Sequence, residues 1–533
     1  MKRIYYYLIL LIVVGSITSC KKFLNTQPVS FAAPAANYAT EPQLLQALAG
    51  VYDVLGYNRS QLYADNLFDK LGATTDEGFY ARASGVALSA TYTFDYTEPN
   101  IDQTWQTLYI GIERANNLIY YINTPVSMDP VERNAILGEA EFMRGYYYFL
   151  LVSNFGDVPM RLTPTTITGA TTNNVPRTPS KDVYAQIQKD MTDAEAKCYP
   201  ATKFGYSSRV SQTTVEGILA RVCLTMAGYP LQDHTKYADA LKWAIKVQAS
   251  GIHSLNPSYS QIFINEAQDI YDIKEAMWEA DFNGNDLSTY LETGRLGNTN
   301  GITYTAGNYA DTGYCYGFIN ATKTLYNLYG AGDLRRDWAI APYKYSGTNR
   351  VNNGTLIYDR NCGKWRRSYE LLTPKSKNNT GQNFPILRYS DVLLMLAEAD
   401  NQVNSGPSAN AYEAINEVRR RGYGFPVNMP NIKSDLATGM SVTQFQQAIK
   451  DERARELCFE TQRRPDLLRW GIWTQTMSAL ANQMNIDLVA TNNSLKYAAI
   501  PAANAASSPK FLLYPIPASE ISVNKAATQN PGY

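Results

Sequence analysis

Apolar residues recur at three- and four-residue steps through much of the chain. Ile101, Trp105, Leu108, Ile112, Ala115 and Ile119 make one stripe along one helix. Asp129-Pro130-Val131-Glu132 sets Asp at the N-cap, Pro at N1 and Glu at N3 of the next. That helix turns Ala135, Ile136, Ala140, Met143, Tyr147 and Leu150 inward, and Gly156 ends it. Ser180 reads as the cap of a third helix, with Val183, Ile187, Met191 and Ala194 on one face. Further helices are predicted over 213–228 and 236–250, the latter closed by Gly251. From 252 to 385 the texture changes to Gly, Asn, Thr and Tyr with little helical period, and 276–280 reads as strand-like. Helical spacing resumes at 390–404 and 408–422, and Ser441-Val442-Thr443-Gln444 is a capping box opening a charged helix to about Glu460. Residues 481–533 read as an irregular C-terminal segment.

These elements predict a mostly α fold, a tetratricopeptide-like α-α superhelical scaffold over 38–251 and 386–480. A loop-rich insertion of about 252–385 interrupts it, and loops on a rigid helical frame are where binding residues sit.

Composition narrows the function. The 533 residues carry 48 Lys plus Arg against 48 Asp plus Glu, a balance that argues against a nucleic-acid binder. With 45% apolar and 18% charged residues, wholesale disorder is excluded. The two histidines, His234 in a polar turn and His253 after a helix end, are expected at the surface and leave little room for histidine chemistry. No Walker A, G-x-G-x-x-G or H-E-x-x-H sequence occurs. Beyond Cys20 there are five cysteines, an odd number at long spacings without C-x-x-C, which argues against a disulfide framework. Cys223 and Cys458 fall in helical patterns and are expected to be buried. Asp76-Glu77, or Asp281 with Asp286, offers oxygen ligands for calcium, but no twelve-residue calcium loop accompanies them and no cofactor is expected. Glu452 and Glu456 lie at i,i+4 among Arg453, Arg455, Arg463, Arg464 and Arg469. Those arginines hold carboxylates ionised, whereas a general acid needs a raised pKa, so the cluster reads as structural ion pairs.

The N-terminus reads as an export signal: Lys2 and Arg3, an uncharged run from Ile4 to Val14, then small residues. Ile17-Thr18-Ser19-Cys20 resembles the bacterial lipobox, which makes 1–19 a lipoprotein signal peptide and Cys20 the lipidated residue.

Ordered motifs follow. Cys20-Lys21-Lys22-Phe23-Leu24-Asn25-Thr26-Gln27-Pro28 is followed by Arg114-Ala115-Asn116-Asn117, by 140–149 and by Phe155-Gly156-Asp157-Val158-Pro159. Arg209-Val210, Arg388-Tyr389-Ser390-Asp391 and Ile415-Asn416-Glu417-Val418-Arg419 come next. Glu452-Arg453, Phe459-Glu460, Arg464-Pro465-Asp466-Leu467-Leu468-Arg469-Trp470-Gly471, Tyr514-Pro515-Ile516-Pro517 and Asn530-Pro531-Gly532-Tyr533 complete the set. Together they resemble the SusD/RagB family of outer-membrane nutrient-binding lipoproteins over nearly the whole of 20–533, as one SusD-like domain. Thr461 stands where the family often has Gly, and Lys21-Lys22 brings no acidic cluster, so exposure on the cell exterior is implied by the family alone. Between 280 and 385 the match thins to Asp333-Leu334-Arg335-Arg336.

The resemblance implies a non-catalytic, lipid-anchored protein of the cell outer membrane. It would capture oligosaccharide and deliver it to a SusC-like TonB-dependent transporter, as a hinged lid on that barrel. Family members can also serve peptide uptake, the RagB-type alternative, and a transporter-assembly scaffold without its own ligand is a third reading.

The 40 tyrosines sharpen this, because Tyr joins an apolar face for sugar C–H groups to a polar handle. Tyr290, Tyr304, Tyr309, Tyr314, Tyr316, Tyr343 and Tyr345 interleave with Gly, Asn and Asp, while Tyr326 and Tyr329 read as core. An earlier loop adds Phe79, Tyr80, Tyr92, Phe94 and Tyr96. The candidate ligand-binding residues are Asp76, Tyr80, Arg82, Tyr96, Asn100, Tyr304, Tyr309, Tyr314 and Tyr316, with loops 76–100 and 290–316 lining the surface. Tyr146-Tyr147-Tyr148 reads as packing.

Overall fold

The structure, a computed structural model, describes residues 34–82, 87–125, 127–165, 173–287, 292–491 and 493–533. The predicted signal peptide, Cys20 and Tyr290 lie outside the described residues.

The longer helices, numbered in chain order, are α1 (Glu41–Tyr52), α2 (Pro99–Tyr121), α3 (Pro130–Phe155), α4 (Ser180–Glu195), α5 (Gln212–Ala227), α6 (Lys236–Ala249) and α7 (Tyr259–Gln268). After the insertion come α8 (Tyr389–Val403), α9 (Ala409–Gly422), α10 (Val442–Leu457), α11 (Arg463–Arg469), α12 (Trp473–Ala490) and α13 (Lys496–Ala506). Each packs on the next through most of the series: α2 on α3, α3 on α4, α4 on α5, α5 on α6, α6 on α8, and α8 on α9 and α10. The result is the tetratricopeptide-like α-α scaffold.

Local chemistry sets most boundaries. Asp129 Oδ1 accepts the Val131 N–H at 2.9 Å to start α3, and Gly156, with φ +73°, stops it where a side chain would be strained. Ser408 caps α9 through the Ala411 N–H, and Ser441 with Gln444 forms the predicted capping box at α10. Ser180 is not a cap. It is the first residue of α4, and its own N–H and hydroxyl donate to Asp157 Oδ1 at 2.7 and 2.6 Å. The stronger, ionised acceptor from the preceding segment takes the capping role.

Tyr146, Tyr147 and Tyr148 of α3 are all buried. Tyr147 donates to the Val51 carbonyl at 2.6 Å and Tyr148 to the Arg161 carbonyl at 2.7 Å, so burial leaves neither hydroxyl unpaired. Gly111 of α2 makes room for this row, since a Cβ there would lie 2.5 Å from the Tyr147 ring.

Among the described residues eight short strands form four antiparallel pairs: β1 (Gly78–Tyr80) with β5 (Ile319–Ala321), β2 (Val158–Pro159) with β3 (Arg177–Thr178), β4 (Ala276–Ala280) with β8 (Phe384–Arg388), and β6 (Tyr343–Ser346) with β7 (Asn349–Asn352). The β4–β8 pair closes the base of the insertion, and β8 runs directly into α8. The β1–β5 pair ties the early loop to the insertion, with Tyr80 opposite Ile319.

Two expectations are overturned here. The segment 481–533 is not irregular at its start: α12 extends to Ala490 and α13 follows, with Trp473, Met477, Leu480, Ala481, Met484 and Leu488 buried. His253 is not at the surface. It is 7% exposed, with Nδ1 at 3.0 Å from the Ile273 carbonyl and Nε2 at 2.7 Å from Thr213 Oγ1. The Gly251 turn folds this residue back under α5 rather than out to solvent. His234 is exposed, and Cys198, Cys223, Cys315, Cys362 and Cys458 are buried free thiols.

Candidate functional site

Tyr314, Tyr316 and Phe318 alternate along an extended segment, while Cys315 and Ile319 between and beyond them are buried. With the left-handed Gly317 between the last two, the three rings follow one another in a single row. Tyr314 and Tyr316 lie 4.9 Å apart between ring centroids, and Tyr316 and Phe318 5.2 Å. Tyr80 of β1 extends the row at 5.5 Å from Phe318, and Tyr304 and Tyr309 extend it at the other end, 5.6 and 5.7 Å from Tyr314. The six rings form a continuous aromatic ribbon. Tyr309, Tyr314 and Tyr316 are half-exposed, whereas Tyr80, Tyr304 and Phe318 are buried along its base.

Polar groups fix the ribbon from behind. Arg367 donates to the Tyr314 carbonyl at 2.7 Å and to the Ser376 carbonyl at 2.8 Å, with Glu370 neutralising it. Asn298 Nδ2 bridges the Tyr314 and Lys377 carbonyls at 3.0 and 2.8 Å. Tyr304 is held in register by its N–H to the Cys315 carbonyl and by the bridge to Tyr345. Along the rim, the Tyr316 hydroxyl donates to Asn378 Oδ1 at 2.9 Å, Lys377 Nζ stands 5.1 Å from the Tyr314 centroid, and the Arg82 guanidinium covers Phe318 at 4.7 Å. The Tyr304, Tyr343 and Thr312 hydroxyls are buried without a hydrogen-bond partner among the described residues. A buried hydroxyl without a partner costs about 1–3 kcal/mol.

The predicted residues therefore divide. Tyr80, Arg82, Tyr304, Tyr309, Tyr314 and Tyr316 come together, although Tyr80 and Tyr304 are mostly covered. Asp76 is withdrawn, 5% exposed with both carboxylate oxygens on Arg463 at 2.8 and 2.7 Å. Asn100 bonds to Ser89, Glu98 and Asn66 at the start of α2. Tyr96 is exposed elsewhere, its carbonyl accepting from the Ala518 N–H. Tyr92 and Phe94 pack on Phe511 at 5.4 and 5.0 Å, so loop 76–100 splits between the ribbon and the C-terminal segment. The carboxylates considered for calcium are engaged as well: Asp281 accepts from the Tyr271 hydroxyl and Asp286 pairs with Arg59. Phe318, Lys377 and Asn378 were missed. The two-residue spacing of 314, 316 and 318 was a usable signal for the first of them.

The arginine–carboxylate cluster is closed. Arg388 binds Glu275, Glu456 and Glu460 at 2.9, 2.9 and 2.8 Å, and Arg335 binds Asp333 and Glu452 at 2.7 and 2.6 Å. Burial alone would lift the Glu452 and Glu456 carboxyls. Arg335, Arg455 and Arg419 around the first, and Arg421, Arg388 and Arg335 around the second, hold both well below the usual carboxylate range. Neither can act as a general acid.

Fold and site thus define a class: a tetratricopeptide-like helical scaffold that displays an aromatic ribbon from an inserted loop region. A family model described as SusD family matches residues 338–533, and one described as "Starch-binding associating with outer membrane" matches 22–224. A SusD-like protein of Formosa agariphila is 25% identical over 85% of this chain and 87% of its own length. The starch-binding protein SusD of Bacteroides thetaiotaomicron is 23% identical over 86% of this chain and 84% of its own. The crystal structure of a SusD homolog from B. thetaiotaomicron superposes with a TM-score of 0.83 at 28% identity, covering 92% of this chain and 97% of that one. The chain belongs to the SusD/RagB family.

Proposed function

We propose that this chain is a lipid-anchored glycan-binding protein of the outer membrane, which holds oligosaccharide on the aromatic ribbon and passes it to a TonB-dependent transporter without breaking a bond. The observation that carries the reading is the ribbon itself: half-exposed rings in continuous contact, rimmed by Asn378, Lys377 and Arg82, above buried hydroxyls that lack partners. Flat rings take the C–H faces of sugars, and the rim takes their hydroxyls. The starch-binding name of one relative and of one family description supports the ligand class. Among the described residues no helix is long and apolar enough to cross a membrane; the proposed anchor is the acyl chain on Cys20, read from Ile17-Thr18-Ser19-Cys20.

A glycan array on the chain lacking residues 1–20 identifies the best ligand, and calorimetry then compares wild type with Tyr309→Ala/Tyr314→Ala/Tyr316→Ala. At about 1 kcal/mol per ring the triple variant loses about 100-fold in affinity. Unchanged affinity in a folded variant removes the ribbon as the site. Binding of peptides in place of glycans moves the protein to the RagB-type reading.

A further inference from the structure

A second concavity lies in the helical scaffold and shares no residue with the ribbon. It is a cavity of about 570 Å³ between the C-terminal half of α3, α5, α11 and the segment 509–514. That volume is within the range of small-molecule sites. Leu67, Leu71, Phe149, Leu150, Leu468 and Leu512 give it apolar walls.

Its charged residues are unbalanced. Among the buried arginines of the described residues, nearly all face a carboxylate: Arg144 has Asp190, Arg367 has Glu370, Arg463 has Asp76 and Arg469 has Glu398. Arg366 has none, but its guanidinium is taken up by the Gly363, Asp337 and Trp338 carbonyls. Arg464 differs. It lines the cavity, is 3% exposed, and has no carboxylate partner among the described residues. Its Nη atoms reach Asn154 Oδ1 at 3.1 Å and the Phe511 and Leu512 carbonyls at 3.1 and 3.5 Å, its guanidinium lies over the Tyr514 and Trp473 rings at 4.3 and 5.6 Å, and its Nε–H has no acceptor among the described residues. Arg221, in the same wall, is neutralised by Asp391 at 2.6 Å, although its Nε–H has no acceptor among the described residues. Arg177 and Lys510 in the wall lack carboxylate partners as well: Arg177 donates to backbone carbonyls and Asn530, and Lys510 lies over the Tyr533 ring at 4.3 Å. The two carboxylates of the wall are committed elsewhere, Asp466 to Arg453 and Arg469, and Asp157 to the start of α4. A guanidinium taken from water without a counter-charge is costly, and an anion in the cavity would remove that cost.

We propose that this cavity binds a small amphipathic carboxylate, its head on Arg464 beside Asn154 and its apolar body against the leucines. Arg464 supplies the charge and cavity shape supplies the rest.

Octanoate and octan-1-ol, which share a chain and differ in the head, are titrated calorimetrically into the chain lacking residues 1–20. Octanoate is expected to bind about ten-fold or more tightly than the alcohol. Arg464→Gln is expected to erase that difference and leave the alcohol unaffected. Thr225→Phe, which fills the cavity without touching Arg464, is expected to abolish binding of both. The proposal is overturned if neither probe binds, if the two bind alike, or if a folded Arg464→Gln keeps the preference. Should Arg464→Gln not fold, the two-probe comparison and Thr225→Phe still decide it.

Discussion

The ion-pair hub around α10 and the aromatic ribbon are both built from long side chains on a helical frame, yet they end in opposite states. In the hub every carboxylate oxygen of Glu452, Glu456 and Glu460 accepts from a cation, and all three residues are buried. In the ribbon, rings stand half-exposed and the hydroxyls of Tyr304, Tyr343 and Thr312 are left over. A cluster whose carboxylate oxygens are all taken by cations holds the fold, even with the Arg421 Nε–H left without a partner among the described residues. One with capacity to spare can meet a ligand. Residue type does not separate the two regions, whereas the exposure of Tyr309, Tyr314 and Tyr316 against the closed, paired carboxylates of the hub does.

The largest effect belongs to the hub. Arg388→Ala leaves Glu275, Glu456 and Glu460 buried with their shared cation removed, and breaking such a pair costs about 3–5 kcal/mol. Urea denaturation should show that loss, while glycan affinity of the folded fraction stays unchanged. A parallel loss of affinity would mean the hub and the ribbon are not separable.

A smaller effect is expected at the ribbon's backbone. Gly317 lies between Tyr316 and Phe318 at φ +62°, and a Cβ there would fall 1.8 Å from Thr303 Oγ1. Gly317→Ala therefore combines left-handed strain with a clash, about 1–3 kcal/mol, and shifts two ribbon rings. Gly205, at φ +75° with nothing within 4 Å, is the control. Gly205→Ala should cost about 1 kcal/mol by melting and leave affinity intact. If Gly317→Ala behaves like its control, the ribbon tolerates displacement and its geometry is not what selects the ligand.

How much of this could be read from the letters depends on how local the cause is. Asp129, Ser408 and Ser441 announce helix starts because a cap acts within three residues. Glu452 and Glu456 were rightly set aside as acids, but of the arginines beside them in sequence only Arg455 binds either one; Arg335, Arg388, Arg419 and Arg421 arrive from other elements. Helix α12 went unread although its buried residues keep helical spacing, because exposed Ile486 and Val489 blur the stripe. The split of loop 76–100 was beyond reach. Tyr80 joins the ribbon only through the pairing of β1 with β5, and Phe94 leaves it only because Phe511 and Tyr533 return from the far end of the chain. Asp76, chosen for its place beside aromatic residues, is claimed by Arg463 of α11 for the same long-range reason.

Glu77 sits on the seam between the two regions and gives the smallest predicted effect. It immediately precedes β1, and its Oε2 accepts the Phe459 N–H at 3.3 Å, just beyond α10. Burial, opposed by Arg463 and reinforced by Asp76, pushes its carboxyl up to about 8. A carboxyl raised in the folded state binds its proton more tightly there than in the unfolded chain. Its contribution to stability is therefore full below the ordinary value of 4.5 and is lost as pH rises through about 8. Glu77→Gln mimics the protonated form at every pH. Between pH 7 and 9 the wild type should lose about 1 kcal/mol relative to this variant, read as diverging urea midpoints. Parallel curves would show that Glu77 is already ionised at neutral pH, and that the seam, like the hub, has neutralised its charge internally.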